Sequence, residues 1–371
     1  MTTEEIKTIK KRINAELENF HGLHCCYVNA AGEKEAEMYL PVYDMTVEEK
    51  EMYAGVLKKI LSGKKEKTLF DILIPTSVLD ESEAGKLLTD LERTECTYTD
   101  DDSLRERLFE KIIESYDGDN KEYVILLTGD TADIYASKDE DDSEYTFKYF
   151  LCCICPVKEP KTVLKYRSGE DGFRGFSTGL VLSNPVTGFM YPSLDEMSAN
   201  ESSALFFRKD AKNTQDLLVE TLFEAGSAPL SNDLKKDIFG GNLSEALGDE
   251  CSIDVVKAIH ARLSEEMDTA DPNQENKDIS FEELHAVIEG EGVSDESLER
   301  FDETMQDTFG DSIDAGALYN EKKYEIRTAD TVITTAPENG ERIKTKEIDG
   351  VTYLLVPAGM DITVNGIPVR I

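Results

Sequence analysis

No stretch of this sequence is long and apolar enough to cross a bilayer as a helix. The longest apolar run, Tyr149 to Val157, is nine residues, against the ~20 that a spanning helix needs. Positive charge is scarce too: 40 lysines and arginines face 77 acids, for a formal charge of −37. A field of that sign repels phosphate backbones and anionic bilayers, so neither nucleic acid nor a membrane is an expected partner. The start, Met1-Thr2-Thr3-Glu4-Glu5, is acidic where a secretion signal is basic and then apolar. A cytoplasmic location is the expectation. Seven dispersed cysteines, an odd count, give no disulfide framework and fit reduced thiols. Also missing are a phosphate-cradling loop, an H-E-x-x-H helix and a dinucleotide fingerprint. The stretch Gly290 to Asp295 lacks both the third glycine and the preceding strand that such a fingerprint requires.

What is present suffices for two or three domains, since 371 residues exceed the ~250 at which single cores stop growing. Ile6, Ile9, Ile13, Leu17 and Phe20 recur at helical spacing, and Thr2 with Glu5 offers a capping box. Thr46 and Glu49 repeat that grammar ahead of Tyr53, Val56, Leu57, Ile60 and Leu61. Strands are expected at 23–28, 36–42 and 69–74, with helices near 82–93 and 103–116. From Tyr123 to Phe207 β-branched and aromatic residues dominate, which predicts a mainly antiparallel sheet with the Asp139–Asp142 run in a solvated turn. From about Thr214 the period becomes helical, with stripes over 214–225, 231–247, 252–267, 280–289 and 294–309.

Charge then breaks with pattern. Residues 268–318 hold 16 acids and 2 bases, whereas residues 319–371 hold 8 acids and 7 bases. Asp349-Gly350 and Asn365-Gly366 each lie between strand-like segments, where such pairs favour the type I′ turn of a tight hairpin. The expected fold class is therefore α+β. A mixed, mainly antiparallel sheet with flanking helices spans 1–210, an acidic helical region spans 211–318, and a small antiparallel β unit, a sheet or barrel, spans 319–371.

Four groups of residues invite chemistry. Gly175-Phe176-Ser177-Thr178-Gly179 matches G-x-S-x-G, but that serine must sit between a strand and a helix. Here Leu180-Val181-Leu182 continues as strand and Asn184-Pro185 blocks a helix, so a loop entering a strand is the better reading. His21, His24, Cys25, Cys26, Cys152, Cys153 and Cys155 include enough soft ligands for zinc. Adjacent strand residues face opposite ways, however, so Cys25 diverges from Cys26 and Cys152 from Cys153. Cys153 and Cys155 share the face of Phe147, Tyr149 and Leu151, which reads as core. Asp271 to Glu282 resembles a calcium loop with Asp271, Asn273, Glu275 and Glu282 as ligands. Asn276 stands where that loop needs glycine, and Asp278 where it needs an apolar residue. Shifting the frame by one puts Ile279 in the apolar position but Pro272 in the first ligand position. Ser280 and Glu283 as a helix cap account for the same residues. His260 and His285 lie beside apolar helix positions and read as packed surface residues.

Several segments together carry a resemblance: Cys25-Cys26-Tyr27-Val28, Phe150 to Val157, Gly188-Phe189-Met190-Tyr191-Pro192, Leu247 to Cys251 with Val255 to His260, and the Ile348-Asp349-Gly350 strands. In order and spacing the chain resembles a bacterial family described as domain of unknown function 4317. The resemblance implies a bacterial cytosolic protein, and it brings no catalytic residues and no cofactor.

The leading expectation is a non-enzymatic binding or regulatory protein that presents an acidic surface to a partner with a basic one. The alternative is an enzyme whose site is assembled from residues distant in sequence. An acidic mimic of nucleic acid ranks third, on charge alone. No catalytic residue, metal ligand or cofactor is assigned, and the oligomeric state is left open. Because the 271–282 loop lacks its glycine and its apolar clasp, millimolar calcium is expected to leave the melting temperature unchanged. An occupied site would stabilise the fold by ~2.7 kcal/mol at a hundredfold excess over its dissociation constant. A calcium-dependent rise that Asp271→Ala and Glu282→Ala abolish would disprove this reading.

Overall fold

The computed structural model describes all residues except 95–102, 136–143, 159–160, 167–171, 178, 211, 226–227, 270–276, 320–322, 329, 341, 358–361, 365–366 and 370–371. The chain divides into two compact units, Met1–Ser231 and Asn232–Ile371.

Unit 1 opens with α1 (Thr3–Arg12), β1 (Gly22–Val28), β2 (Lys34–Pro41), α2 (Val47–Ile60) and β3 (Leu69–Leu73). Helices α3 (Thr76–Glu81), α4 (Glu83–Arg93) and α5 (Ser103–Ser115) precede a long ribbon of β4 (Tyr123–Tyr135) and β5 (Glu144–Lys158). Then come the hairpin β6 (Thr162–Tyr166) and β7 (Phe173–Ser177), the short β8 (Val181–Leu182), and β9 (Thr187–Tyr191). A second hairpin of β10 (Ser193–Asp195) and β11 (Ser198–Asn200), then β12 (Ser203–Arg208) and α6 (Asp216–Phe223), complete the unit. Both expected capping boxes form, Thr2 with Glu5 and Thr46 with Glu49. Residues Tyr123–Tyr135 form one continuous strand. The Asp139–Asp142 run lies outside the described residues.

The sheet runs β2-β1-β4-β5-β9-β12-β3, with β8 paired to the end of β5. Every strand pair in it is antiparallel. Helices cover both faces. One core packs α4, α5 and α6 against Cys26, Ile125, Cys152, Ile154, Phe189 and Phe206. The other packs α1 and α2 against Cys25, Leu126, Phe147, Tyr149, Leu151, Cys153 and Cys155. A sheet buried on both sides needs apolar residues at every position rather than at alternate ones, and β9 and β12 are buried throughout. This burial accounts for the run from Tyr149 to Val157. A polar anchor crosses the second core: Arg12 makes a two-pronged ion pair with Asp130 at 2.6 and 3.0 Å, and the Tyr149 hydroxyl donates to the same carboxylate at 2.8 Å.

Unit 2 contains α7 (Asn232–Leu247), α8 (Ile253–Thr269), β13 (Asp278–Ser280), α9 (Phe281–Gly290), α10 (Asp295–Phe309), β14 (Ser312–Asp314) and α11 (Ala315–Leu318). Its core joins Phe239, Leu243, Ile259, Leu284, Leu298, Phe301 and Met305. Two short strands inside this helical region were not legible in its periodicity. They pair with Ile279 opposite Ile313, both buried.

The rest of unit 2 contains β15 (Tyr324–Arg327), β16 (Val332–Thr335), one helical turn α12 (Pro337–Gly340), β17 (Lys344–Ile348), β18 (Val351–Leu355), β19 (Ile362–Val364) and β20 (Ile367–Val369). Asp349 and Gly350 take φ of 52° and 77°, both positive as the I′ turn requires. Asn365-Gly366 lies outside the described residues, and β19 and β20 pair on either side of it. These strands form three separate two-stranded ribbons rather than one sheet or barrel. The residues of β17 and β18 are almost all exposed, so that ribbon offers no buried face on which further strands could pack.

Burial pushes the thiols of Cys25 and Cys155 up to about 12 and that of Cys26 to about 11. An unfolded thiol ionises near 9, so above that pH the unfolded chain sheds protons that the native chain keeps. Stability is therefore expected to be insensitive to these groups below pH ~9 and to fall as pH rises from there toward ~12. Urea midpoints measured across this range check it. A Cys25→Ala, Cys155→Ala double variant should show a shallower decline, and an unchanged slope would count against buried neutral thiols as the cause.

Candidate functional site

The residues singled out by sequence do not assemble into a catalytic or metal centre among those described. Ser177 ends the exposed strand β7, and its hydroxyl accepts only a long bond, 3.5 Å, from the Gly179 amide. No helix follows it, and His260 and His285 belong to the other compact unit. Cys25 and Cys26 enter opposite cores, as do Cys152 and Cys153. His24 is buried and packs against the Tyr39 ring in a tilted arrangement at 4.6 Å, while His21 is exposed. No three carboxylate, imidazole or thiol groups converge as a metal site among the described residues.

Asp271, Asn273 and Glu275 lie outside the described residues. Ser280 and Glu283 form the expected capping box at the start of α9. Arg262 bonds Glu283 at 2.7 Å and holds its carboxyl below the usual range. The bridge between Ile279 and Ile313 favours the loop frame that has Ile279 in the apolar position, and that frame has proline in its first ligand position. His285 Nδ1 lies 2.8 Å from Asp302 Oδ2, tying α9 to α10. His260 packs between the rings of Tyr319 and Tyr324, at 4.8 and 4.9 Å. It lines an apolar hollow of about 430 Å³ with Phe239, Leu243 and Leu263. Gly340 packs directly on the Tyr324 ring, where a Cβ would stand 2.5 Å from it.

A more polar concavity lies in unit 1. A cleft of about 640 Å³ opens between the segment 114–119, at the end of α5, and the segment 210–217, which leads into α6. Five carboxylates line it, from Glu114, Asp117, Asp119, Asp210 and Asp216, against the single ammonium of Lys212. A second hollow of about 420 Å³ adjoins it, sharing Tyr116, Asp210, Asn213 and Gln215 and adding Arg208 and Lys209.

The walls are held by a small set of bonds. Gln215 adopts a left-handed backbone, with φ of 57°. Its side chain accepts from the Asp117 amide at 3.1 Å and donates to the Asp117 carbonyl at 3.0 Å, so it joins the two lips of the cleft. Asp216 accepts from the Ala228 amide at 3.0 Å and from the Thr214 hydroxyl. Beneath lies Arg208, only 1% exposed, with its guanidinium 4.2 Å over the Phe70 ring. It donates to the carbonyls of Thr214 and Pro229. Burial draws its pKa down while the charges of Asp216 and Asp210 pull it back up. Arginine stays ionised in either case, so these two aspartates act as the counter-charge of a buried cation. Of the other three, Asp119 pairs with Lys121 at 3.1 Å, and Glu114 and Asp117 add further carboxylates to the lining.

A family model described as domain of unknown function, DUF4317, matches residues 1–367. The chain belongs to this family. No curated protein matches it. Family membership extends over both compact units, and the family description names no activity that could be assigned to either cavity. Sequence reading had missed the cleft. The one available signal was Arg208, a lone base that directly follows the fully apolar strand segment Ala204 to Phe207.

If Arg208 anchors the cleft, Arg208→Met leaves the Thr214 and Pro229 carbonyls without their donor. The expected cost is about 2 kcal/mol in urea unfolding, with faster proteolysis in the 209–230 segment. Unchanged stability and cleavage would remove Arg208 from this role.

Proposed function

We propose that the protein is a binding protein whose unit 1 cleft takes a cationic group, in particular a basic segment of a partner protein. One observation carries this reading: five carboxylates and one ammonium line a single cleft of about 640 Å³. A lysine or arginine side chain entering there gains charge-assisted hydrogen bonds in a partly enclosed site, where they are stronger than in open water. Gln215 and Arg208 fix the walls beforehand, so little ordering is left for the moment of binding. None of the residues lining the two hollows is a histidine or cysteine. The overall charge of −37 adds long-range steering of a basic partner.

The test is calorimetric titration of the full chain with a short oligo-lysine peptide at low and high salt. Binding is expected at low salt and should weaken as ionic strength rises. Asp117→Asn with Asp210→Asn should reduce affinity about tenfold or more, a loss of ~1.4 kcal/mol, with the fold intact by circular dichroism. Equal affinity in wild type and double variant would show that the peptide reads only the diffuse surface charge, and the cleft would lose its role.

A further inference from the structure

The hollow in unit 2 combines an apolar interior with a charged opening. Phe239 and Leu243 of α7, Ile259 and Leu263 of α8 and Tyr324 of β15 line its volume of about 430 Å³, and all five are buried. Lys236, Gly240, Lys323 and Glu325 line it too, and these are exposed, so they stand on the side that meets solvent. Protein cores hold few voids larger than a water molecule. This space instead lies in the size range of small-molecule sites, ~300–1,000 Å³.

Two features set this space apart from a packing fault. Gly240 follows Lys236 by four residues and precedes Leu243 by three, so the three share one face of α7, and all three line the hollow. Glycine inside a helix costs about 1 kcal/mol relative to alanine, yet a Cβ at Gly240 would meet nothing within 4 Å. No neighbour demands the glycine there; a larger side chain would take up open space. The charge at the opening is equally local. Lys236 and Lys323 bring two ammoniums to it in a chain of net charge −37. The carboxylate beside them, Glu325, already accepts from Arg327 at 2.8 Å and from Lys323 at 3.1 Å, and these bonds hold its pKa below the usual range. Lys236 has no ion-pair partner among the described residues.

We propose that the unit 2 hollow binds a small amphipathic acid, with its apolar body among Phe239, Leu243, Ile259 and Leu263 and its carboxylate at Lys236 and Lys323. The body gains by leaving water, and the head gains charge-assisted hydrogen bonds from the ammoniums. A neutral amphiphile of the same shape forgoes those bonds, and a cationic one meets like charge. The unit 1 cleft selects for the opposite charge, so the two sites answer to different ligands.

Calorimetric titration of the full chain with decanoate, kept below the concentration at which it forms micelles, tests this. Saturable binding is expected, with 1-decanol weaker by about tenfold or more. Lys236→Gln with Lys323→Gln should weaken decanoate by a similar factor and leave decanol unchanged. Gly240→Leu should abolish the binding of both while the melting temperature holds or rises. Cys251 is half-buried and lines the same hollow, so bound decanoate should slow its alkylation by iodoacetamide, read by mass spectrometry. Absence of saturable binding overturns the proposal. So does equal affinity for decanoate and decanol, a lysine variant that binds decanoate as the wild type does, undiminished binding by Gly240→Leu, or alkylation of Cys251 at one rate with and without decanoate.

Discussion

The architecture of unit 1 depends on a sheet that is buried on both faces. Its axis is the ribbon of β4 and β5, paired in register from Tyr123 with Pro156 to Tyr135 with Glu144. Once helices cover both sides, no strand at the centre can alternate between apolar and polar residues. Polar groups there need dedicated partners, because burying one unpaired costs several kcal/mol. Asp130 illustrates the rule, as its carboxylate takes bonds from Arg12 and Tyr149. The ion pair joins α1 to the sheet at a set position that apolar contacts alone would leave free to slide. Cys25, Cys26, Cys152, Cys153 and Cys155 follow from the same constraint. Small, weakly polar and closely packed, they fill both cores, and burial keeps their thiols neutral and unreactive.

The unit 1 cleft lies where the sheet stops. Beyond the end of β12 the chain must leave a layer with no room for charge, and Arg208 sits at that junction. Buried under the loops, it draws two carbonyls inward and leaves Asp210 and Asp216 as its counter-charges. The acids contributed by 114–119 line the same space, with Asp119 paired to Lys121. The resulting cleft is negative because a buried cation organises its floor while an excess of carboxylates lines its walls. This arrangement suits a guest that brings its own positive charge.

Unit 2 relies on different physics. Its helices bury one stripe each, so their outer faces can carry the dense acidic charge of 268–318 at little cost. The ribbons beyond Leu318 expose most of their residues. Of the buried ones, Tyr324 and Ile343 meet α8: His260 lies against the Tyr324 ring, and the Lys257 ammonium reaches the Ile343 carbonyl.

Much of the fold could be read directly, because its signals are local. Capping boxes at Thr2, Thr46 and Ser280 act within one helical turn, and Asp349-Gly350 sets its own turn. Strand alternation alone implies that Cys25 and Cys26 part company. The amino-acid sequence thus determined the elements, the α+β class, the family and the core fate of the thiols. It could not reveal that β13 and β14 meet across about thirty residues, since three-residue strands leave too short a pattern to recognise. Nor could it show which apolar strands stay bare: Thr162 to Tyr166 reads like any buried strand until its neighbours are known. The cleft was hidden most completely. Gln215 bonds Asp117 across 98 positions, and no local motif records that meeting. Only the closing of the sheet between its helical layers brings those two loops together, and with them the carboxylates that give the protein its most distinctive surface.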